Sequence, residues 1–579
     1  GREDFATISV RGSTPGQVKI LLDGVPLNRA GNDVVNLADI SLDSVERIEV
    51  FRGFTPVRYA SSGAASVVNI VTRSSAGPIS GSLSWGSFAT VKATLAGAAA
   101  VAGGTLSVTS DFRETDGDFR FTSESADPTV GGRRRRINND RRSWNLALRY
   151  DRRDRSDSRW SLIGNVLHVE EGTPGRGDVQ AARARSRKTR AIASASWQTS
   201  RGLRAAADLT YVGETQRDPK SPPDDAGLGF PFERFAGRTW AAAVEVGAWR
   251  AAGERHFFET SAEVSLERFE GRFPGITPKR DQERIRAALA AGDEVALAGA
   301  RLTLAPQVRL ELLHNRFDGS GLVPPVDPSM LPDATEVSVD PRLGLRWDAA
   351  PSLTLKANAG TYFRPPNFGE LFGDDGFSAA NPSLDPERGI SRDAGLIWRG
   401  RGRRWSATAE YAYFDNEVDD MIVFVPSGAR VPRPQNVGAA SVRGHELRLE
   451  AGLGSHVDCR LSYTRQQAED RSNIRDFRGH DLPSQPRDEL YGRVSVSGRR
   501  WRLTYEVDAQ SRVFLDRAGF QRVPGHATHG LTLALGPWAG GWHVELEADN
   551  LGDEQYSDVF GFPVPGRAFY LTLSYARRP

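Results

Sequence analysis

Cysteine is almost missing: Cys459 stands alone in 579 residues, so neither an internal disulfide framework nor a multi-cysteine metal site can form. Long apolar runs are missing too. The most apolar stretch, residues 95–103, falls well short of the ~20 residues a membrane-spanning helix needs. Charge of one sign is also lacking, since 75 Lys+Arg against 73 Asp+Glu leave +2, and this gives no global attraction to nucleic acid. Gly-x-Ser-x-Gly, His-Glu-x-x-His and Walker-type loops do not occur, and the odd spacing of His526 and His529 would set them on opposite faces of a strand. No enzyme activity, catalytic residue or cofactor is assigned. The loop acids Asp116 and Asp118, or Asp224 and Asp225, could bind calcium, but solvated loop acids fit as well and no metal is assigned. The chain opens at Gly1 with neither an initiator Met nor an apolar leader, so the signal segment of an exported protein is expected outside these residues.

What is present is alternation. In residues 258–267, Phe258, Thr260, Ala262, Val264 and Leu266 occupy one face of a strand, and Glu259, Ser261, Glu263, Ser265 and Glu267 the other. Trp501, Leu503, Tyr505 and Val507 oppose Arg502, Thr504, Glu506 and Asp508, and Trp542, Val544 and Leu546 oppose His543, Glu545 and Glu547. A mean hydropathy of −0.44 suits a membrane barrel, in which only every second residue faces lipid. A soluble sandwich would show the same alternation with its polar face in water.

The connections favour the barrel. Short breaks, as at 102–104, 199–202, 251–254, 297–300 and 400–403, alternate with long ones at 116–140, 170–186, 214–237, 315–337, 362–390 and 415–440. Short turns on one side and long loops on the other are the habit of outer-membrane barrels. Counting between breaks gives about 22 strands, a size whose lumen needs a plug. Tryptophans at predicted strand ends, such as Trp160, Trp197, Trp398 and Trp542, fit an interfacial girdle and equally fit ordinary packing.

The N-terminal segment reads differently. Leu21-Leu22-Asp23-Gly24-Val25-Pro26-Leu27 describes a buried strand and a tight turn, and Glu46-Arg47-Ile48-Glu49-Val50-Phe51-Arg52-Gly53 a charged second strand. With Ile8-Ser9-Val10-Arg11-Gly12 and Val67-Val68-Asn69-Ile70-Val71-Thr72-Arg73 they form an ordered set. Further along come Phe363-Arg364-Pro365-Pro366-Asn367-Phe368-Gly369-Glu370-Leu371-Phe372, then Asn381-Pro382-Ser383-Leu384-Asp385-Pro386-Glu387, and finally Asp549-Asn550-Leu551-Gly552-Asp553. Across nearly its whole length the chain resembles a TonB-dependent outer-membrane receptor. The stretch Val25-Pro26-Leu27-Asn28-Arg29-Ala30-Gly31 with Ala38-Asp39-Ile40 is most similar to the plug of cobalamin receptors.

The resemblance implies an all-β fold: a 22-stranded antiparallel transmembrane barrel over residues 77–579, closed by a small α/β plug over residues 1–76 and truncated at its N-terminus. It implies a monomer in the outer membrane that takes up a scarce, bulky nutrient, cobalamin-like or a ferric siderophore, with haem also open. A TonB-type partner would supply the energy, its binding segment lying ahead of Gly1. A passive porin is the rival of a different class. Ligand contacts are expected at an outward, solvent-facing plug apex, Asn28, Arg29, Ala30, Gly31 and Asn32. Loop aromatics Phe119, Phe121 and Phe368, with Phe230, Phe232, Phe235 and Phe377, would line a vestibule or pack the loops together. Arg11 and Arg52, then Glu46 and Arg47, are the candidates for plug–barrel coupling. The run Arg133-Arg134-Arg135-Arg136 with Arg141 and Arg142 would meet anionic lipopolysaccharide or ligand, or simply be solvated.

Overall fold

Asp23 and Gly24 both take left-handed backbone, φ +50° and +90°, and this lets β1 (Val18–Leu22) fold straight back as β2 (Val25–Pro26). The computed structural model describes residues 6–31, 33–59, 66–74, 79–123, 131–219, 234–272, 280–318, 334–373, 380–425, 433–436, 438–538, 540–559 and 561–576. Asn32, Asp224, Asp225, Phe230, Phe232 and Phe377 lie outside them. Two more plug strands, β3 (Val45–Arg52) and β4 (Ser66–Thr72), complete a sheet ordered β2-β1-β4-β3, with β1 parallel and β3 antiparallel to β4.

Every residue of central β4 is buried, which explains its nearly unbroken apolar run. Val18, Ile20, Leu22, Val68 and Ile70 pack on one face with Leu27 and Val35, and the barrel residue Ile192 joins them. Leu21 and Val67 pack on the other against Phe51 and Tyr59. The polar exception, Asn69, is fully engaged: its Oδ1 accepts from the Gly24 amide at 3.0 Å, and its Nδ2 donates to Glu49 at 2.9 Å and to the Tyr59 hydroxyl at 3.2 Å. Among the described residues the helical part of the plug is confined to 3₁₀ turns such as Leu37–Asp39 and Leu42–Ser44.

Around this sheet runs a closed antiparallel barrel of 22 strands, in which each strand pairs with its neighbours in barrel order. It closes where Ala568–Ala576 pairs with Ser80–Gly86. The alternation read from the sequence is the lipid/lumen alternation: Val244, Val264 and Leu289 are 57%, 58% and 56% exposed on the outer wall, while Glu263 turns inward to Arg286 at 2.6 Å. Tryptophans collect near the short turns, with Trp160 against Trp197 at 6.0 Å between ring centroids and Trp398 against Trp405 at 6.5 Å.

One long connection carries a single helical turn, α1 (Phe368–Phe372), back into the lumen. Its capping box is complete, with the Glu370 amide donating to Asn367 Oδ1 and the Asn367 amide to Glu370 Oε2, both at 2.8 Å.

Candidate functional site

The plug apex follows β2, at the end of the barrel where the long connections leave it. Asn28 shapes it from within: Oδ1 accepts from the Ile20 amide at 2.7 Å, and Nδ2 donates to the carbonyls of Val18 at 3.0 Å and Asp33 at 2.6 Å. Arg29 is only 8% exposed and donates to the Pro26 carbonyl at 2.5 Å and the Thr210 hydroxyl at 2.7 Å. The expectation of a solvent-facing Arg29 is therefore overturned. The chain turns this side chain sideways into the barrel wall, where burial lowers its pKa against the opposing pull of Glu267 and Asp208.

Ala30 is clasped from both sides. Its amide donates to Glu267 Oε2 at 2.7 Å, and its carbonyl accepts the Phe368 amide of α1 at 2.6 Å. Gly31 lies against Phe269, whose ring would stand 3.0 Å from an added Cβ. Asp33 then pairs with Arg364 at 2.9 Å and accepts from Asn367 at 2.7 Å. Arg364 also pairs with Glu370 and Glu387, and Gln17 donates to Glu387 at 2.6 Å. The apex, α1 and the barrel wall thus form one polar network.

Phe368 is 2% exposed and packs with Ala30, Leu371, Phe372, Leu384 and Ile422. Phe119 and Phe121 are brought elsewhere. They are buried in the hairpin of Arg120–Ser123 and Gly132–Arg135, where Phe119 sits 6.1 Å from Phe88 and 6.2 Å from Phe121. These two rings pack a loop. Much of the basic run is likewise engaged: Arg135 pairs with Asp118, Arg134 donates to the Asp178 carbonyl, and Arg142 pairs with Glu114.

Arg11 and Arg52 converge on one barrel carboxylate. Arg11 reaches Glu446 Oε2 at 3.0 Å and Asp393 at 3.3 Å, and Arg52 reaches the same Glu446 oxygen at 3.3 Å. Close approach is possible because Gly12, at φ +69°, follows Arg11; a Cβ there would stand 2.3 Å from Val442 Cγ1. Among the described residues Glu46 and Arg47 form no ion pair with the barrel wall. β3 is the edge of the plug sheet, and Arg47 pairs with Glu46 at 3.5 Å and with Glu49, two residues along the same strand face, at 2.9 Å. Glu46 takes the Ser74 amide and hydroxyl, both at 3.1 Å.

Other crossings carry more buried charge. Asp39 pairs with Arg141 at 2.6 Å and Lys188 at 3.4 Å, and its backbone carbonyl accepts from Arg190. Burial alone would raise the Asp39 pKa, but Lys188, Arg141 and Arg190 together hold it below the ordinary carboxylate value. Asp23 accepts from the Thr72 amide and hydroxyl while pairing with Arg149 at 2.8 Å, so the turn residue is also a dock. The signal for these partners was the period-two polar face of the barrel strands: Lys188 and Arg190 share the inward face with Ile192, which joins the plug core.

The comparisons with known proteins agree with this geometry. Residues 94–551 match the family model described as TonB dependent receptor-like, beta-barrel, and residues 1–67 the TonB-dependent Receptor Plug Domain. The Vitamin B12 transporter BtuB of Vibrio vulnificus (strain CMCP6) is 25% identical over 457 residues, which is 77% of this chain and 66% of that relative's length. Among solved structures, the copper transporter OprC superposes with a TM-score of 0.80 at 16% identity, covering 99% of this chain and 93% of that one. The ferric enterobactin receptor PfeA gives 0.74 at 18%, covering 98% and 92%. A 22-stranded closed barrel around an N-terminal sheet, matched by both family models, makes this chain an outer-membrane β-barrel that belongs to the TonB-dependent receptor family.

Proposed function

We propose that this protein takes up a cobalamin-like nutrient across the outer membrane, binding it at the extracellular end and passing it inward when an energy-transducing partner of the TonB type displaces the plug. The observation that carries this reading is a folded sheet inside the closed barrel, tied to the wall by buried ion pairs such as Asp39–Arg141 and Arg11–Glu446. A passive porin would leave its lumen open. The cobalamin subgroup rests on the similarity of residues 25–31 and 38–40 to cobalamin-receptor plugs and on the relative named as a vitamin B12 transporter. Within the same class a ferric siderophore is the second reading, supported by the likeness to a ferric enterobactin receptor.

In this reading the apex Asn28–Asn32 senses the ligand in two ways. Ala30 and Gly31 present backbone next to α1, and Asn28 and Arg29 hold that backbone in shape. A ligand that moves α1 or Phe368 acts directly on the Ala30 carbonyl. Phe119 and Phe121 contribute only by keeping their loop folded. Coupling runs through Arg11 and Arg52, whose shared carboxylate fixes one docking geometry while adding little net stability, as suits a plug that must also move. Glu46 and Arg47 act at one remove, through Glu49 and Asn69, on the β1–β2 turn.

Titrating the detergent-purified receptor with cyanocobalamin and with a panel of ferric siderophores tests the reading. Saturable binding of cyanocobalamin is expected; saturable binding of a siderophore with none of cyanocobalamin would replace the first reading with the second.

A further inference from the structure

Between the plug apex and the barrel wall lies a cavity of about 100 Å3, whose lining includes Lys19, Arg29, Asp33, Glu267, Arg284 and Arg364. A single water needs roughly 10–15 Å3 of such space, so there is room for several waters or one small polyatomic ion. The charges on its wall do not balance. The Lys19 side chain makes no hydrogen bond or ion pair among the described residues, while its backbone belongs to the β1–β4 ladder. Among the described residues, the Arg29 guanidinium donates to the Pro26 carbonyl and the Thr210 hydroxyl, and that of Arg284 donates to the Asn315 side-chain oxygen and the Pro366 carbonyl, each at 2.7 Å, and lies 5.0 Å from the centre of the Phe368 ring. Among the described residues no carboxylate lies within salt-bridge distance of these cations; Glu263, Glu267 and Asp208 act on them only from farther off.

The acids of the wall are already committed. Asp33 is held by Arg364 and Asn367, and Glu267 accepts the Ala30 amide. Arg29 and Arg284 are each 8% exposed and Arg364 4%, yet Arg29 Nε and Arg364 Nε have no acceptor among the described residues. Buried charged donors without acceptors are costly, and guanidinium groups satisfy that need best with oxyanions.

We propose that this cavity is a binding site for a small oxyanion, a phosphate or carboxylate group, held by Lys19, Arg29 and Arg284 and accepting from the free Nε groups of Arg29 and Arg364. The group is either a free anion or an anionic part of the transported nutrient; both present the same oxygens to the site. Because the site joins the plug to the barrel, its occupant bridges β1, the apex and the wall. Loss of that bridge loosens the apex.

The test uses the detergent-purified receptor. Crystals soaked in tungstate are expected to show an anomalous peak within the cavity, and thermal unfolding is expected at higher temperature in phosphate than in chloride at matched ionic strength. Lys19→Gln removes an ammonium that forms no ion pair at contact distance, so the fold holds and phosphate affinity falls about tenfold, the usual size of one charge-assisted contact. Adding cyanocobalamin or a ferric chelate separates the sources: loss of the tungstate peak assigns the site to the nutrient's own anionic group, and its retention to a free anion. No peak in the wild-type cavity, no preference for phosphate over chloride, or unchanged affinity in Lys19→Gln would each overturn the proposal.

Discussion

Asp39 of the plug and Arg141 of the barrel wall meet at 2.6 Å with their side chains 3% and 6% exposed. Arg141 also pairs with Glu171, and Lys188 stands 3.4 Å from Asp39, so the contact is a small desolvated network. Such a network specifies a docking geometry more than it adds stability, because desolvating the charges offsets most of their attraction. Removing one member is another matter, since the rest are then buried without compensation.

Asp39→Asn is expected to weaken plug docking by about 3–5 kcal/mol, the usual penalty for stranding a buried partner. Hydrogen exchange of β1 and β4 in the intact receptor reads this out as faster exchange confined to the plug. The depressed pKa of Asp39 gives the same answer by pH. Its stabilisation is present above the ordinary carboxylate value near about 4 and is lost as pH falls through the lower folded-state pKa. Wild type and mutant should converge at strongly acidic pH; a constant gap would contradict this.

Glu446→Gln removes the carboxylate that Arg11 and Arg52 share, leaving Arg11 with Asp393 alone, and should raise the frequency of transient openings in planar-bilayer recordings. Glu46→Gln changes a 41%-exposed side chain on β3 and should shift stability by less than about 0.5 kcal/mol, with closed-lumen conductance unchanged. Equal effects from the two substitutions would show that position across the plug–barrel gap is irrelevant.

At Gly12 a side chain meets two obstacles, a φ of +69° and Val442 Cγ1 at 2.3 Å from the new Cβ. Gly12→Val is expected to cost about 2–5 kcal/mol from the left-handed strain and the overpacking combined. Proteolysis should then find the plug while the barrel stays folded. A plug as resistant as wild type would mean that this segment relocates freely.

Burial, with Arg286 and Arg309 nearby and Glu263 and Glu311 opposing them, pushes the Lys19 ammonium down to about 7. A lysine whose folded pKa lies below its unfolded value of about 10.4 destabilises the fold fully at low pH, and the deficit shrinks as pH climbs from 7 toward 10.4. In phosphate-free buffer Lys19→Met should therefore protect β1 from hydrogen exchange most at and below neutral pH, and match wild type near pH 10. A difference that grows with pH would reverse the sign and refute the assignment.

The barrel was legible because its signal is repeated: period-two faces and alternating loop lengths recur on nearly every hairpin, so an exception such as the tight turn of residues 87–89, with its left-handed Phe88 and Ala89, at the long-loop end does not change the architecture. The Asp23-Gly24 turn was legible because two left-handed residues in succession demand that chemistry. Asp39 was not. Its partners lie more than a hundred residues away on other strands, and a lone carboxylate beside Ile40 carries no local mark of them. Arg29 misled for a related reason, since a charged residue in a turn reads as solvated until the wall that receives it is in place.

Energy-coupled uptake is the central claim, and it is tested by following labelled cyanocobalamin and ferric siderophores into cells that carry the full-length receptor, with and without the TonB partner. The account predicts saturable accumulation of one ligand that disappears when the partner is deleted or the inner-membrane proton gradient is collapsed. Accumulation at an undiminished rate under both conditions would show an open passage instead of a gated one, and would contradict the account.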